Sequence, residues 1–150
     1  MTIMNSPRFQ RSNLIVADLD RALTFYEGVL GFTEVFRKPH NPESYSLTVF
    51  DIPEEAEIRF SVLSAPDQPR VLALTEVAGI ELLGVPLPRR NALVIECSHP
   101  DEVIQGAISL GLKVYPEEIL ETFDGRIGRE IGIVDFDENL VVIYLVPPAE

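Results

Sequence analysis

At 150 residues the chain is long enough for one well-buried core and short for two independently stable domains. Hydrophobic residues at 46% and charged residues at 24% place it among ordinary globular proteins, away from the polar composition of disordered chains. A net charge of −12 argues against a nucleic-acid partner, and the single cysteine, Cys97, excludes an internal disulfide or a zinc site built on cysteine pairs.

No segment approaches the roughly 18 apolar residues of a membrane span, and residues 1–11 contain no apolar core of a signal peptide, so the cytoplasm is the expected location. Lys38 and Lys113 are the only lysines among the 12 basic residues. The remainder are arginines, which suit partly buried contacts with carboxylates or phosphates.

Residues 11–16 read as a strand. Asp18 follows as an N-cap, and Leu19, Ala22, Leu23, Tyr26, Val29 and Leu30 recur at the spacing of one apolar helix face. Gly31 ends that helix. Residues 33–37, 44–50 and 58–64 read as strands separated by the turn-rich pieces His40-Asn41-Pro42 and Asp51-Ile52-Pro53, and residues 70–77 form a further strand.

Beyond a linker holding Gly84, Pro86 and Pro88, the order begins again. Residues 92–96 read as a strand, Ser98 with Asp101 as a capping box, and Val103, Ile104, Ala107, Ile108 and Leu110 as a second apolar helix face closed by Gly111. Residues 113–115, 127–134 and 140–146 complete the strands, the last two joined by the polar turn Asp135 to Asn139.

Leu30-Gly31-Phe32 and Leu110-Gly111-Leu112 stand 80 residues apart with the same element order around each, which marks an internal repeat. Two tandem βαβββ modules, at about residues 9–79 and 91–147 with a linker at about 80–90, define a mixed α+β protein in one domain.

The run Asn13-Leu14-Ile15-Val16-Ala17-Asp18-Leu19-Asp20-Arg21-Ala22-Leu23-Thr24-Phe25-Tyr26, closed by Val29-Leu30-Gly31-Phe32, resembles the opening module of the vicinal oxygen chelate superfamily of glyoxalase I, bleomycin-resistance proteins and extradiol dioxygenases. Asp135-Phe136-Asp137-Glu138-Asn139 resembles the Asp-Pro-Asp-Gly-Asn turn of its closing module. Phe136 and Glu138 depart from that pattern. Asn139 is expected to take over part of the glycine's positive-φ role.

The resemblance implies curved sheets around a cup, a homodimer, and in catalytic members four His, Gln or Glu side chains holding a divalent cation. The corresponding positions here are Arg11, Asn91 or Ala92, Ala73 or in a shifted register Glu76, and Val142. Arginine has no lone pair for a metal, and alanine and valine have no donor atom, so no metal or other cofactor is expected. His40 and His99 lie in turn and cap contexts and read as surface residues.

With the cation gone, Arg11 places a fixed positive charge near where it stood, which points to an anionic or carbonyl-bearing small-molecule ligand. Strand alternation puts Asn13 beside Arg11 and Tyr144 beside Val142, and Asn91, Arg59 and Arg129 are further candidate ligand-binding residues. Competing structural roles stand beside several of these: an ion pair for Arg11, solvated edge-strand positions for Arg59 and Arg129, a core position for Tyr144, and, for Cys97, a small buried hydrophobe. No nucleophile–base pair or phosphate loop is present, and Glu76 or Glu96 would serve as a base only if buried. Two functions remain open. One is metal-free binding of a small molecule, as in bleomycin-resistance proteins. The other is enzymatic, a glyoxalase-like lyase, epimerase or dioxygenase working without metal or through ligands in another register.

Overall fold

In the computed structural model, which describes residues 6–149, the chain runs β1 (Ser12–Val16), α1 (Leu19–Tyr26), β2 (Thr33–Lys38), α2 (Tyr45–Val49), β3 (Glu57–Ala65), β4 (Gln68–Ala78), β5 (Ala92–Glu96), α3 (Pro100–Ser109), β6 (Lys113–Val114), β7 (Glu118–Glu121), β8 (Ile127–Val134) and β9 (Leu140–Leu145). A four-stranded sheet has the order β1-β4-β3-β2. A five-stranded sheet has the order β5-β9-β8-β6, with β7 also paired to β8. β1 runs parallel to β4 and β5 parallel to β9, so the two halves repeat one topology, with α2 inserted in the first and β7 in the second.

Strand alternation gives each sheet two unlike faces. In the first, Leu14 lies opposite Leu74 and turns toward α1, whereas Asn13 opposite Ala73 and Ile15 opposite Thr75 turn away. In the second, Leu93 opposite Val141 and Ile95 opposite Ile143 turn inward, leaving Val94 opposite Val142 and Glu96 opposite Tyr144 on the other, open face. The inward faces and both long helices share one core, in which Val16, Leu19, Phe25, Tyr26, Ala107, Ile133 and Ile143 are fully buried. α1 starts where Asp18 accepts a hydrogen bond from Arg21 N at 3.0 Å, and the chain leaves it through Gly31 at φ 86°. The helices approach so closely that a Cβ on Gly106 would lie 2.9 Å from both Val29 methyl carbons.

The turn between β8 and β9 fastens the halves together. Tyr26 donates its hydroxyl to Asp135 Oδ2 at 2.7 Å, Ala17 N donates to Asp137 Oδ1 at 3.0 Å, and Asn139 Nδ2 donates to the Ile15 carbonyl at 3.1 Å. Asp135 also accepts from the backbone of Asp137 and Asn139, each at 2.8 Å, and so shapes the turn that it anchors. Arg21 caps the arrangement, its guanidinium 5.0 Å from the Phe136 ring centroid and 3.4 Å from Asp137.

Four local expectations are corrected. Residues 44–50 form helix α2 rather than a strand: Ser44 Oγ accepts from Ser46 N, and of the alternating Tyr45, Leu47 and Val49 only Leu47 packs inward, so the two-residue period reflects no buried sheet face. The second long helix begins at Pro100 with His99, not Ser98, in the cap position, because proline fixes the first helical φ; the Ser98 hydroxyl instead meets His99 Nδ1 at 3.0 Å. The left-handed position in the 135–139 turn falls on Glu138 at φ 68°, while Asn139 is kept for the inter-half hydrogen bond. His40 is half-buried and accepts from Ile58 N at 3.0 Å, a backbone role rather than a free surface position. β7 is an additional strand that the charged sequence Glu118 to Glu121 conceals.

Replacing Tyr26 with phenylalanine removes one buried hydrogen bond and should cost about 1 kcal/mol by chemical denaturation. Asp135→Ala strands several donors at once and should cost about 3 kcal/mol or more, with one transition retained. Burial raises the pKa of Asp137, whose Oδ2 is buried without a hydrogen-bond partner. The folded state therefore binds more protons than the unfolded state between the ordinary aspartate value of 3.8 and the raised folded one, and this group's contribution to stability falls as pH rises through that window. Urea midpoints followed across it should fall less steeply on alkalinisation in Asp137→Asn than in the unaltered protein.

Candidate functional site

β5 is an edge strand, pairing only with β9 among the described residues. Cys97 N donates to Tyr144 O at 2.8 Å, so alternation sends the backbone N–H and C=O groups of Val94 and Glu96 to the free edge. That edge borders a cleft of about 1080 Å³ between the two halves. Its far wall is the β3–β4 turn and the chain leaving α1, with Leu30, Phe32, Pro66, Gln68 and Leu72; Tyr144 and Glu96 stand on the near wall. The lining mixes an apolar floor with unpaired backbone groups, the combination that suits a small organic molecule.

A second, smaller cavity of about 190 Å³ opens where β1 and β5 come together, and Asn13, Asn91 and Asn139 line it. Asn13 Oδ1 accepts from Thr75 Oγ1 at 2.8 Å, and among the described residues its amide nitrogen has no hydrogen-bond partner. The expected ligand residues thus separate into three groups. Asn13 and Asn91 meet at this seam, and Tyr144 faces the larger cleft. Arg11 is exposed just ahead of β1, where its Nε donates to the Arg70 carbonyl at 3.3 Å, and it lines neither space.

Arg59 and Arg129 lie on the opposite, helix-covered faces. Arg59 grips Glu76 through two 2.8 Å hydrogen bonds, and Arg129 joins Glu117 at 2.7 Å and Asp101 at 2.8 Å. The sequence signal that separates them from Tyr144 is parity along the strand, which becomes usable once the register of β3 on β4 and of β8 on β9 is fixed.

Glu76 shares this fate. It lies opposite Val16, a core position, and its Oε2 accepts from Leu19 N at 2.8 Å at the start of α1. The Arg59 guanidinium holds its carboxyl below the usual range, with the Leu19 amide adding to the effect against burial. A charged carboxylate at a helix N-terminus is electrostatically favoured there. Ala73, by contrast, shares the away-facing side of Asn13. Among the described residues, no three His, Cys, Asp or Glu side chains gather closely enough to hold a metal ion.

Sequence reasoning missed a third grouping. Tyr115, following β6, sits over Gly132 on the open face of the second sheet, where a Cβ at Gly132 would lie 3.2 Å from the ring. Its hydroxyl accepts from Arg89 at 3.0 Å, and Lys113 Nζ lies 4.5 Å from the ring centroid. The Arg89 hydrogen bond, followed by Lys113, holds the phenol below its ordinary pKa. The Lys113-to-Tyr115 spacing of two residues on a strand was the available clue; Arg89, in the linker, offered none.

The chain matches the family model described as Glyoxalase/Bleomycin resistance protein/Dioxygenase superfamily over residues 8–141. No curated protein matches it in sequence. It is similar in structure to a glyoxalase family protein from Bacillus cereus, at a TM-score of 0.71 and 14% identity over 97% of this chain and 100% of that one. A glyoxylase/bleomycin resistance protein/dioxygenase domain from Frankia sp. EAN1pec gives 0.69 and 16%, over 97% and 96%. The fosfomycin resistance protein FosX from Listeria monocytogenes, in complex with Mn(II) and sulfate ion, gives 0.56 and 17%, over 95% and 93%. These identities speak for the fold alone.

Replacing Glu76 with alanine should cost about 1–2 kcal/mol, because Arg59 is left without its carboxylate but remains partly solvated, and the first turn of α1 loses its acceptor. Denaturant midpoints for Glu76→Ala and Glu76→Gln check this, the glutamine variant losing less.

Proposed function

The chain belongs to the Glyoxalase/Bleomycin resistance protein/Dioxygenase superfamily, and from that premise we propose that it binds a small organic molecule in the inter-half cleft without the divalent cation of its catalytic relatives. The observation that carries this reading is the donor set at the positions where those relatives hold metal. Arg11, Ala73 and Val142 offer no ligand atom, Ala92 none and Asn91 only an amide. The carboxylate a shifted register would recruit, Glu76, is turned to the other face and engaged by Arg59 and Leu19 N. These residues do not fit a divalent-metal centre.

The cleft supplies what a binding function needs instead: apolar walls, Tyr144, and the backbone groups on the free edge of β5. A homodimer accompanies this reading, supported by Leu83 and Leu87, which are exposed in the linker. Light scattering at micromolar concentration should return twice the chain mass; a monomer there overturns the dimer.

Metal analysis after dialysis should find no stoichiometric divalent ion, and about one tightly held ion per chain would overturn the binding reading in favour of a metal enzyme. A thermal-shift screen of small acids, aromatic diols, thiol conjugates and glycopeptide drugs should give a stabilising ligand whose effect is unchanged by chelator. Val94→Arg, which alters an exposed cleft side chain, should leave the unliganded midpoint within the equivalent of about 0.5 kcal/mol and abolish the ligand's shift. Arg11→Ala, at a residue that lines neither space, should leave the shift unchanged.

A further inference from the structure

We propose that Arg89, Lys113 and Tyr115 form an oxyanion subsite on the open face of the second sheet, taking the carboxylate or phosphate of a small organic acid. Among the described residues, Arg21, Arg37, Arg59, Arg126 and Arg129 each pair with a carboxylate, which is the expected arrangement in a chain of net charge −12. Arg89 and Lys113 do not pair in this way. They are the two cations that converge on one neutral group, the Tyr115 phenol, from two separate segments of the chain.

Three features make this a built arrangement rather than two loose surface charges. Arg89 is half-buried, and its Nε reaches the Glu138 carbonyl at 3.4 Å while its Nη1 holds the phenol at 3.0 Å, so the guanidinium plane is fixed at two points. Tyr115 is seated on Gly132, where any side chain would crowd its ring. Lys113 is set two residues before Tyr115 beside β8, which puts both side chains on one face. Because the phenol oxygen accepts from Arg89, its own proton remains available for donation. Guanidinium, ammonium and phenol O–H together offer several donors and two positive charges, matched to the oxygens of a carboxylate or phosphate.

The face is the one carrying Val142 and Val94, and the row beside it carries Glu130, Tyr144 and Glu96. An anion held at Tyr115 would therefore direct the rest of its molecule across β9 toward the cleft edge, with the carboxylates of that row repelling a second anionic group. The ligand class is a monoanionic or phosphate-bearing small molecule with a neutral or cationic remainder. This inference extends the binding function proposed above to a second region and rests on it only for the kind of ligand.

The test uses the whole protein, with tyrosine rings labelled with carbon-13 so that the four tyrosines report separately by NMR. Benzoate and inorganic phosphate are the probes, and benzamide is the uncharged control. Saturable movement of the Tyr115 signal by either anion and not by benzamide is the expected result, and the tighter of the two identifies the oxyanion. Arg89→Gln and Lys113→Gln should each weaken binding about tenfold, whereas Lys38→Gln should leave it unchanged. No saturable movement up to about 10 mM, or equal weakening by Lys38→Gln, would overturn the subsite. Anion binding at Tyr115 with no ligand found for the cleft would overturn the cleft reading alone, and a cleft ligand without anion binding would overturn this one alone.

Discussion

Everything in the arrangement of the two halves depends on the short turn from Asp135 to Asn139. A pair of small sheets, each with one long helix, would bury too little surface to be stable separately, and joining them requires a polar turn to enter the boundary of a shared core. Such an entry is costly unless each buried donor and acceptor is matched. Asp135 meets this condition by accepting from the turn's own backbone and from Tyr26 across the seam, and Asn139 by reaching the Ile15 carbonyl. The Tyr26 phenol, pushed well above its ordinary pKa first by burial and then by Asp135, stays a hydrogen-bond donor at all physiological pH values. The exception among the described residues is Asp137 Oδ2, a buried side-chain oxygen without a hydrogen-bond partner.

The same logic of matched charge explains where function has room to reside. The helix-covered faces absorb Arg37, Arg59 and Arg129 in pairs with carboxylates, as with Arg59 and Glu76 or Arg37 with Glu34 and Asp20. Those groups stabilise helix starts and sheet edges. The open faces and the seam carry Asn13, Asn91, Tyr115 and Tyr144, and there Arg89 and Lys113 pair with no carboxylate among the described residues.

Much of the architecture was legible in the chain because repetition and punctuation are local signals. Asp18, Gly31 and Gly111 mark helix ends, and the apolar stripe of α1 has no competing reading. α2 was hidden because Tyr45, Leu47 and Val49 alternate without the alternation being used, and β7 because its charges obscure its pairing. The candidate site was legible only in part. Residue types at the metal positions could be read directly, but whether Arg59, Arg129 or Glu76 faces a cleft or a helix is a matter of register between strands distant in sequence. The partnership of Arg89 with Tyr115 links a linker to a strand end 26 residues on and leaves no periodic trace.

The free edge of β5 has a consequence for how this protein can change over time. Hydrogen bonds made by main-chain groups survive most substitutions, since they do not depend on which side chain a position carries. Under the binding function proposed above, a cleft anchored in this way would separate retention from selectivity: the edge would grip any molecule with suitable donors and acceptors, while Val94, Tyr144 and the β3–β4 turn would decide which molecule fits. Ligand preference can then drift by single replacements in the walls, each tolerated by the fold, without passing through a form that binds nothing.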